Sequence, residues 1–111
     1  MRARVATAIV LVMILAGRVG ANDQLIAALK QTGKAVDNMT AAISQVMSDT
    51  EAETVAGAVR QALDNGLKQD HPTIVIKATA GFCRVTIETP GWRLWSEAHA
   101  GKVTDHGAAV H

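Results

Sequence analysis

The spacing of apolar residues changes near residue 70 of this 111-residue chain. Before that point, apolar residues recur every three or four positions, which is typical of amphipathic helices. After it, apolar and polar residues alternate, which is typical of strands with one buried face. The pattern predicts an α+β fold: a long helix or helical hairpin over residues 22–70, packed on a three-stranded antiparallel β-meander within residues 71–111. We expect the two parts to share one core and to form a single domain.

The helical part contains one internal boundary. From residue 22 to residue 47 the apolar positions fall on one helical face, namely Leu25, Leu29, Val36, Met39, Ile43 and Val46. Ser48 and Glu51 then form the S-x-x-E pattern of a capping box, which predicts the start of a second helix. Asn65 and Gly66 offer a left-handed end for that helix. The alternative is one continuous helix with a kink near Ser48.

The β-rich part predicts three strands, over residues 73–79, 82–88 and 92–96. In the second strand Cys83, Val85 and Ile87 share one face, with polar residues on the other. Short segments of turn composition separate the strands. From Glu97 onward the sequence contains glycine and histidine without periodicity, so we predict a partly mobile tail there.

The first 21 residues have the three parts of a secretory signal peptide. These are a positive start, an uninterrupted apolar run and small residues before the cleavage point, supplied by Arg2 and Arg4, residues 5–16, and Val19 and Ala21. A membrane span needs about 20 apolar residues, and Arg18 ends this run earlier. We therefore predict a cleaved signal peptide over residues 1–21 and an exported product, periplasmic or secreted. The alternatives are an uncleaved anchor and an ordinary buried helix.

Composition and charge narrow the classes of function. The chain is 49% hydrophobic and 19% charged, which argues against disorder. Loss of residues 1–21 removes three of the 11 basic residues and none of the 10 acidic ones, so the formal net charge falls from +1 to −2. Because nucleic-acid binding depends on clustered basic residues in excess, we expect no nucleic-acid partner.

Cys83 is the only cysteine, so no disulfide can form within one chain. Its alternation with Val85 and Ile87 predicts a buried, inert thiol, because free cysteine behaves as a small hydrophobic residue. Pairing with a cysteine of another chain is the alternative. A nucleophilic role requires a neighbouring base, and only the fold could bring His71 or His99 close enough.

The remaining candidate chemistry is sparse. His99, His106 and His111 lie near the C-terminus, and only the last two have the H-x₄-H spacing of a zinc-ligand pair. Since no second pair accompanies them, we interpret all three as solvated tail residues and predict no metal and no cofactor. The sequence also lacks a glycine-rich phosphate loop and the G-x-S-x-G and H-E-x-x-H motifs. We therefore predict no catalytic residue and lean against an enzyme.

Trp92 and Trp95 are two of only three aromatic residues in the chain. In a strand they point to opposite faces, so Trp92 packs in the core with Leu94 while Trp95 lies exposed beside Arg93. Exposed tryptophan and arginine are enriched at the energetic centres of protein interfaces. We therefore predict that Trp95 and Arg93 bind a partner. In a helix the two tryptophans would share one face and both be buried.

These observations favour a small exported binding or assembly protein that acts through surface contacts. The expected partner is a protein, a second copy of the chain included. A second hypothesis is a membrane-anchored accessory subunit of an envelope complex, which contacts the membrane only if residues 5–17 remain as an anchor. A third is a small metal- or thiol-dependent enzyme. No motif in the sequence is specific enough to indicate a family.

Overall fold

The computed structural model describes residues 22–111, which form two helices and one four-stranded antiparallel sheet. The elements are α1 (Asn22–Ser44), α2 (Asp49–Leu67), a 3₁₀ turn (Lys68–Asp70), β1 (Thr73–Thr79), β2 (Phe82–Glu88), β3 (Trp92–His99) and β4 (Lys102–Val110). Both helices pack against the sheet, so the predicted α+β class is confirmed. The predicted signal peptide, residues 1–21, lies outside the described residues. No helix within residues 22–111 has the length and apolar character that a membrane crossing requires.

The two helices form a hairpin, so the alternative of one kinked helix is wrong. Ser48 is extended, and its Oγ accepts a hydrogen bond from the Glu51 N–H at 3.4 Å, as the capping box predicts. α1 ends at Ser44, three residues earlier than its apolar pattern suggested. The reason is tertiary: Ser44 Oγ accepts from the Gly101 N–H at 2.8 Å, and the Val46 carbonyl accepts from the Gly81 N–H at 2.9 Å. These bonds fasten the interhelical loop to two turns of the sheet.

The predicted end of α2 at Asn65 and Gly66 is wrong. The helix continues to Leu67, which is only 1% exposed, so the additional residue completes the buried face of the helix. The left-handed residue comes after the 3₁₀ turn instead, at His71, with φ of 52°. Its N–H donates to the Lys68 carbonyl at 3.2 Å, and strand β1 begins soon afterwards.

The sheet has four strands rather than the predicted three, because the supposed tail forms β4. The strands follow one another in the order β1-β2-β3-β4, each antiparallel to its neighbour. Ala100 and Gly101, both with positive φ, connect β3 to β4 as a tight hairpin turn requires. Near the start of β4 the register shifts, since Ala98 pairs with Val103 whereas Glu97 pairs with Asp105. This irregularity interrupts the alternation that would have indicated a strand in the sequence.

The core lies between the helices and one face of the sheet. Its largest fully buried side chains include Met39, Ile43, Leu63, Ile87 and Leu94. α1 lies mainly across β3 and β4, and α2 lies along β1. Cys83 belongs to this core and is fully buried, as predicted.

Candidate functional site on the outer face of the sheet

The sheet has one face under the helices and a second face, here called the outer face, that points away from them. On β2 the residues that alternate with buried Cys83, Val85 and Ile87 lie on the outer face, and their cross-strand partners share it. The antiparallel register places these side chains in four rows across the strands. They are the aromatic row (Thr79, Phe82, His99, Lys102), the charged row (Lys77, Arg84, Glu97, Asp105), the apolar row (Val75, Thr86, Trp95, Gly107) and the Glu88–Arg93 row (Thr73, Glu88, Arg93, Ala109).

Trp95 lies at the middle of the outer face, and its ring covers Gly107 on β4. A Cβ atom added at Gly107 would overlap Trp95 Cζ2, so any side chain at that position would displace the indole. Trp95 is half-buried because one face of its ring rests on the β4 backbone. This packing of an aromatic ring over a cross-strand glycine is a known means of supporting a weak edge position. Sequence reasoning missed this contact because it did not predict β4.

Arg93 lies beside Trp95, as the strand interpretation predicted. Its guanidinium carbon is 5.2 Å from the centre of the indole ring, within the range of a cation–π interaction. Arg93 Nε also lies 3.9 Å from Glu88 Oε1, and Glu88 Oε2 lies 2.5 Å from His111 Nε2. Since the Arg93 side chain is 47% exposed, the pair offers a cation and an aromatic edge to solvent together.

The charged row joins residues of three strands through one guanidinium. Arg84 Nη1 lies 3.2 Å from Glu97 Oε1 and 3.5 Å from Asp105 Oδ2. His99 Nε2 lies 3.2 Å from Glu97 Oε2, and its ring meets Phe82 edge-on with centroids 5.1 Å apart. Partly exposed ion pairs of this kind contribute little to folding stability. Their arrangement therefore matters chiefly for what the surface can contact.

The three C-terminal histidines are exposed to solvent, as predicted, but they do not lie in a mobile tail. Each lies in or next to a strand of the sheet and beside a carboxylate, and His106 Nδ1 is 2.7 Å from Asp37 Oδ2 of α1. Sequence reasoning missed Asp37, because only the position of β4 under α1 brings it to His106. Among the described residues, 22–111, no three potential ligand side chains meet in a group that could hold a metal ion.

A serine and a histidine are neighbours across β3 and β4, which raises the question of a nucleophilic serine. Ser96 is the cross-strand partner of His106, and both lie on the helix-facing side of the sheet. Ser96 is fully buried, however, and its Oγ has no hydrogen-bond partner within the described chain. A nucleophile requires both a base within hydrogen-bond reach and a path for substrate. Ser96 has neither of these.

Cys83 is equally unsuited to nucleophilic catalysis. Burial raises the pKa of its thiol to about 12, so the group is protonated at neutral pH. His99, one of the two bases considered from the sequence, projects from the outer face, whereas Cys83 points under the helices. Cys83 and Ser96 are therefore inaccessible to a partner, whereas the side chains of the outer face are exposed or partly exposed.

No protein-family model, no curated protein and no solved structure matches this chain. The function is accordingly inferred from the geometry of the outer face itself.

Proposed function

We propose that this is a small exported binding or assembly protein that contacts a protein partner through the outer face of its sheet. The observation that carries the proposal is the Arg93–Trp95 pair, with its cation 5.2 Å from the indole centre on a sheet face that neither helix covers. Tryptophan and arginine dominate the binding energy of many protein interfaces. In this proposal Trp95 supplies apolar contact area and Arg93 supplies directional hydrogen bonds.

The surroundings of this pair support the proposal. The apolar row crosses the middle of the outer face, and Val75 within it is 47% exposed. The charged row lies on one side of it and the Glu88–Arg93 row on the other. An apolar centre bordered by charged residues is the usual composition of a specific protein interface.

The test must separate binding from folding, because Trp95 also covers Gly107. The Arg93 side chain is 47% exposed and its ion pair with Glu88 lies at the surface, so Arg93→Glu should affect folding little and is the informative variant. Tagged full-length wild-type and variant chains are used to capture partners from the envelope and medium of the producing cell. We expect Arg93→Glu to reduce recovery of the partner at least about tenfold, since like charges placed across an interface cost several kcal/mol.

A matched control is available on α1, where Lys30 is exposed on the opposite side of the molecule. Lys30→Glu makes the same change in net charge and should leave recovery of the partner unchanged. Equal recovery by all three chains, each shown to be folded by circular dichroism, would exclude the outer face as the binding surface.

Export is supported by the pattern of residues 1–21. N-terminal sequencing of the protein recovered from its producing cell tests it, and we expect the product to begin at Asn22. The second candidate, a membrane-anchored accessory subunit, is favoured by the uninterrupted apolar run over residues 5–16. Recovery of the intact N-terminus in the membrane fraction would establish that candidate instead.

A further inference from the structure

In two rows of the outer face, residues at mirror positions across the sheet carry charges of opposite sign. In the charged row the basic residues, Lys77 and Arg84, lie on β1 and β2, and the acidic residues, Glu97 and Asp105, lie on β3 and β4. In the Glu88–Arg93 row the acid lies on β2 and the base on β3. Each of these six charges therefore has its opposite at the mirror position across the line that separates β2 from β3. The seventh charge of the outer face, Lys102, has uncharged Thr79 at its mirror position.

This arrangement is self-complementary under a particular two-fold rotation. If two copies meet face to face about an axis parallel to the strands, β1 of one copy lies over β4 of the other, and β2 lies over β3. Every row then faces the same row of the second copy. Lys77 faces Asp105, Arg84 faces Glu97, and Arg93 faces Glu88 of the second copy, so all six charges of these two rows meet a charge of opposite sign.

The other symmetric arrangement fails this test. An axis perpendicular to the strands keeps each strand over itself and reverses the order of the rows. If that axis passes through the charged row, Lys77 faces Lys77 of the second copy, and Asp105 likewise faces Asp105. If it passes between the charged and apolar rows, Arg84 faces Thr86 and Glu97 faces Trp95. If it passes through the apolar row, Arg84 faces Glu88 and Glu97 faces Arg93, but Lys77 faces Thr73 and Asp105 faces Ala109. Only the axis parallel to the strands gives all six charges a partner of opposite sign.

We propose that the partner bound by the outer face is a second copy of this chain, related by a two-fold axis parallel to the strands. The inference rests on the proposed function and names the partner for it. The uncharged positions agree with it. Val75, half-exposed on β1, would meet Gly107 and the indole that covers it, and Phe82 would meet His99. A symmetric dimer in which one patch meets itself is the commonest form of protein self-assembly.

Lys77 gives this arrangement a specific benefit. Among the described residues Lys77 has no carboxylate within salt-bridge distance, whereas Arg84 already contacts Glu97 and Asp105. The second copy would bring an Asp105 carboxylate to each Lys77.

The outer face spans about 19 Å across the strands and about 23 Å along them, so roughly 450 Å² of each copy would be covered. Because stable interfaces cover about 800 Å² of each partner, we expect a weak dimer with a Kd of about 10 μM to 1 mM.

A charge exchange between two variants tests the proposal. Lys77→Glu places a second carboxylate against Asp105, and Asp105→Lys places a second ammonium group against Lys77. Each variant alone should therefore dimerise at least about tenfold more weakly than wild type. An equimolar mixture of the two should restore dimerisation to about the wild-type level. In the mixed dimer one contact joins the two substituted side chains with their charges exchanged, and the other remains Lys77 with Asp105.

Self-association is measured by sedimentation of the protein purified from its producing cell, in whatever form that cell accumulates. Any association through residues 1–21 is common to all samples and cannot respond to the charge exchange. Circular dichroism and denaturant unfolding confirm that each variant is folded. Stronger association in the mixture than in either variant alone would support the proposal.

Two results would overturn it. One is a wild-type chain that stays monomeric up to about 1 mM, which is the weakest affinity that the proposal allows. The other is association that all four samples show equally, which would assign it to another surface. Neither result contradicts the proposed function if wild type captures a protein other than itself and Arg93→Glu reduces the recovery of that protein. Loss of that sensitivity to Arg93→Glu is what would reject the proposed function.

Discussion

The two faces of this sheet differ in what their side chains do. The face under the helices is apolar and closed, with Cys83, Val85, Ile87 and Leu94 at most 2% exposed. The outer face carries seven charged side chains across its four rows, with a half-buried tryptophan among them. Because side chains alternate along a strand, neighbouring residues of the same strand serve opposite purposes. Stability and recognition can therefore be changed separately, by substituting either the helix-facing or the outward-facing residues of the same strand.

Trp92 and Trp95 give the largest expected contrast between the faces. Trp92 is 5% exposed and packs in the core, so Trp92→Ala should lower the free energy of unfolding by about 3–5 kcal/mol. That is a large part of the stability of a small domain. Trp95→Ala should cost considerably less, because its ring is buried on one side only. Denaturant unfolding of both variants measures the difference, and equal losses would contradict the distinction between the faces.

A substitution at Gly107 tests whether Trp95 also stabilises the fold on the outer face. Gly107→Ala places a methyl group within contact distance of the indole, so we expect a loss of about 1–3 kcal/mol in the free energy of unfolding. In a Trp95→Ala background the same substitution should be nearly neutral, since the ring is gone. The double-mutant cycle is measured by denaturant unfolding. A penalty that persists without the indole would show that the ring does not rest on Gly107.

Much of the covered face could be predicted from the sequence. Alternation in residues 73–88 gave two strands, the position of Trp92 and Leu94 gave a third, and the capping box at Ser48 gave the hairpin. β4 could not be predicted, because Gly107 and its neighbouring alanines lack strand-forming side chains and the register shift interrupts alternation. What stabilises β4 is its contact with β3 and α1, which is not a local property.

The outer face was predictable only in part, for a related reason. Arg93 and Trp95 are two residues apart, so strand alternation alone places them together. The contacts of Arg84 with Asp105 and of Asp37 with His106 join segments far apart in sequence. They depend on the register of β4, so no local pattern indicated them. The self-complementary order of charges likewise becomes visible only when the four strands are aligned.

The thiol of Cys83 provides a pH-dependent test of the covered face. Burial raises its pKa from the ordinary 9.0 to about 12, so the folded chain holds this proton more tightly than the unfolded chain. The resulting stability is fully present below about pH 9 and is lost as the pH rises towards 12. Between pH 9 and pH 10 the wild type should lose up to about 1 kcal/mol relative to Cys83→Ala. Unfolding curves across this range measure the difference, and parallel pH profiles would mean that the thiol is accessible to water.

Arg84 should show the smallest effect, in keeping with its place on the outer face. Its side chain is 31% exposed and its ion pairs are open to solvent, so Arg84→Ala should change the free energy of unfolding by less than about 1 kcal/mol. Added salt should reduce the difference further. A loss above about 2 kcal/mol, measured by denaturant unfolding, would indicate that the outer face holds the fold together.

The role of the outer face in binding can be tested by comparing two equally exposed apolar positions. Val75 lies on the outer face and is 47% exposed, and Ile26 lies on α1 and is 46% exposed. A photoactivatable amino acid is incorporated at one position or the other of the full chain in its producing cell, and covalent adducts are measured after illumination. If the outer face is the binding surface, position 75 should give a discrete adduct and position 26 should give little. Equal yields from both positions, or an adduct from position 26 alone, would contradict it.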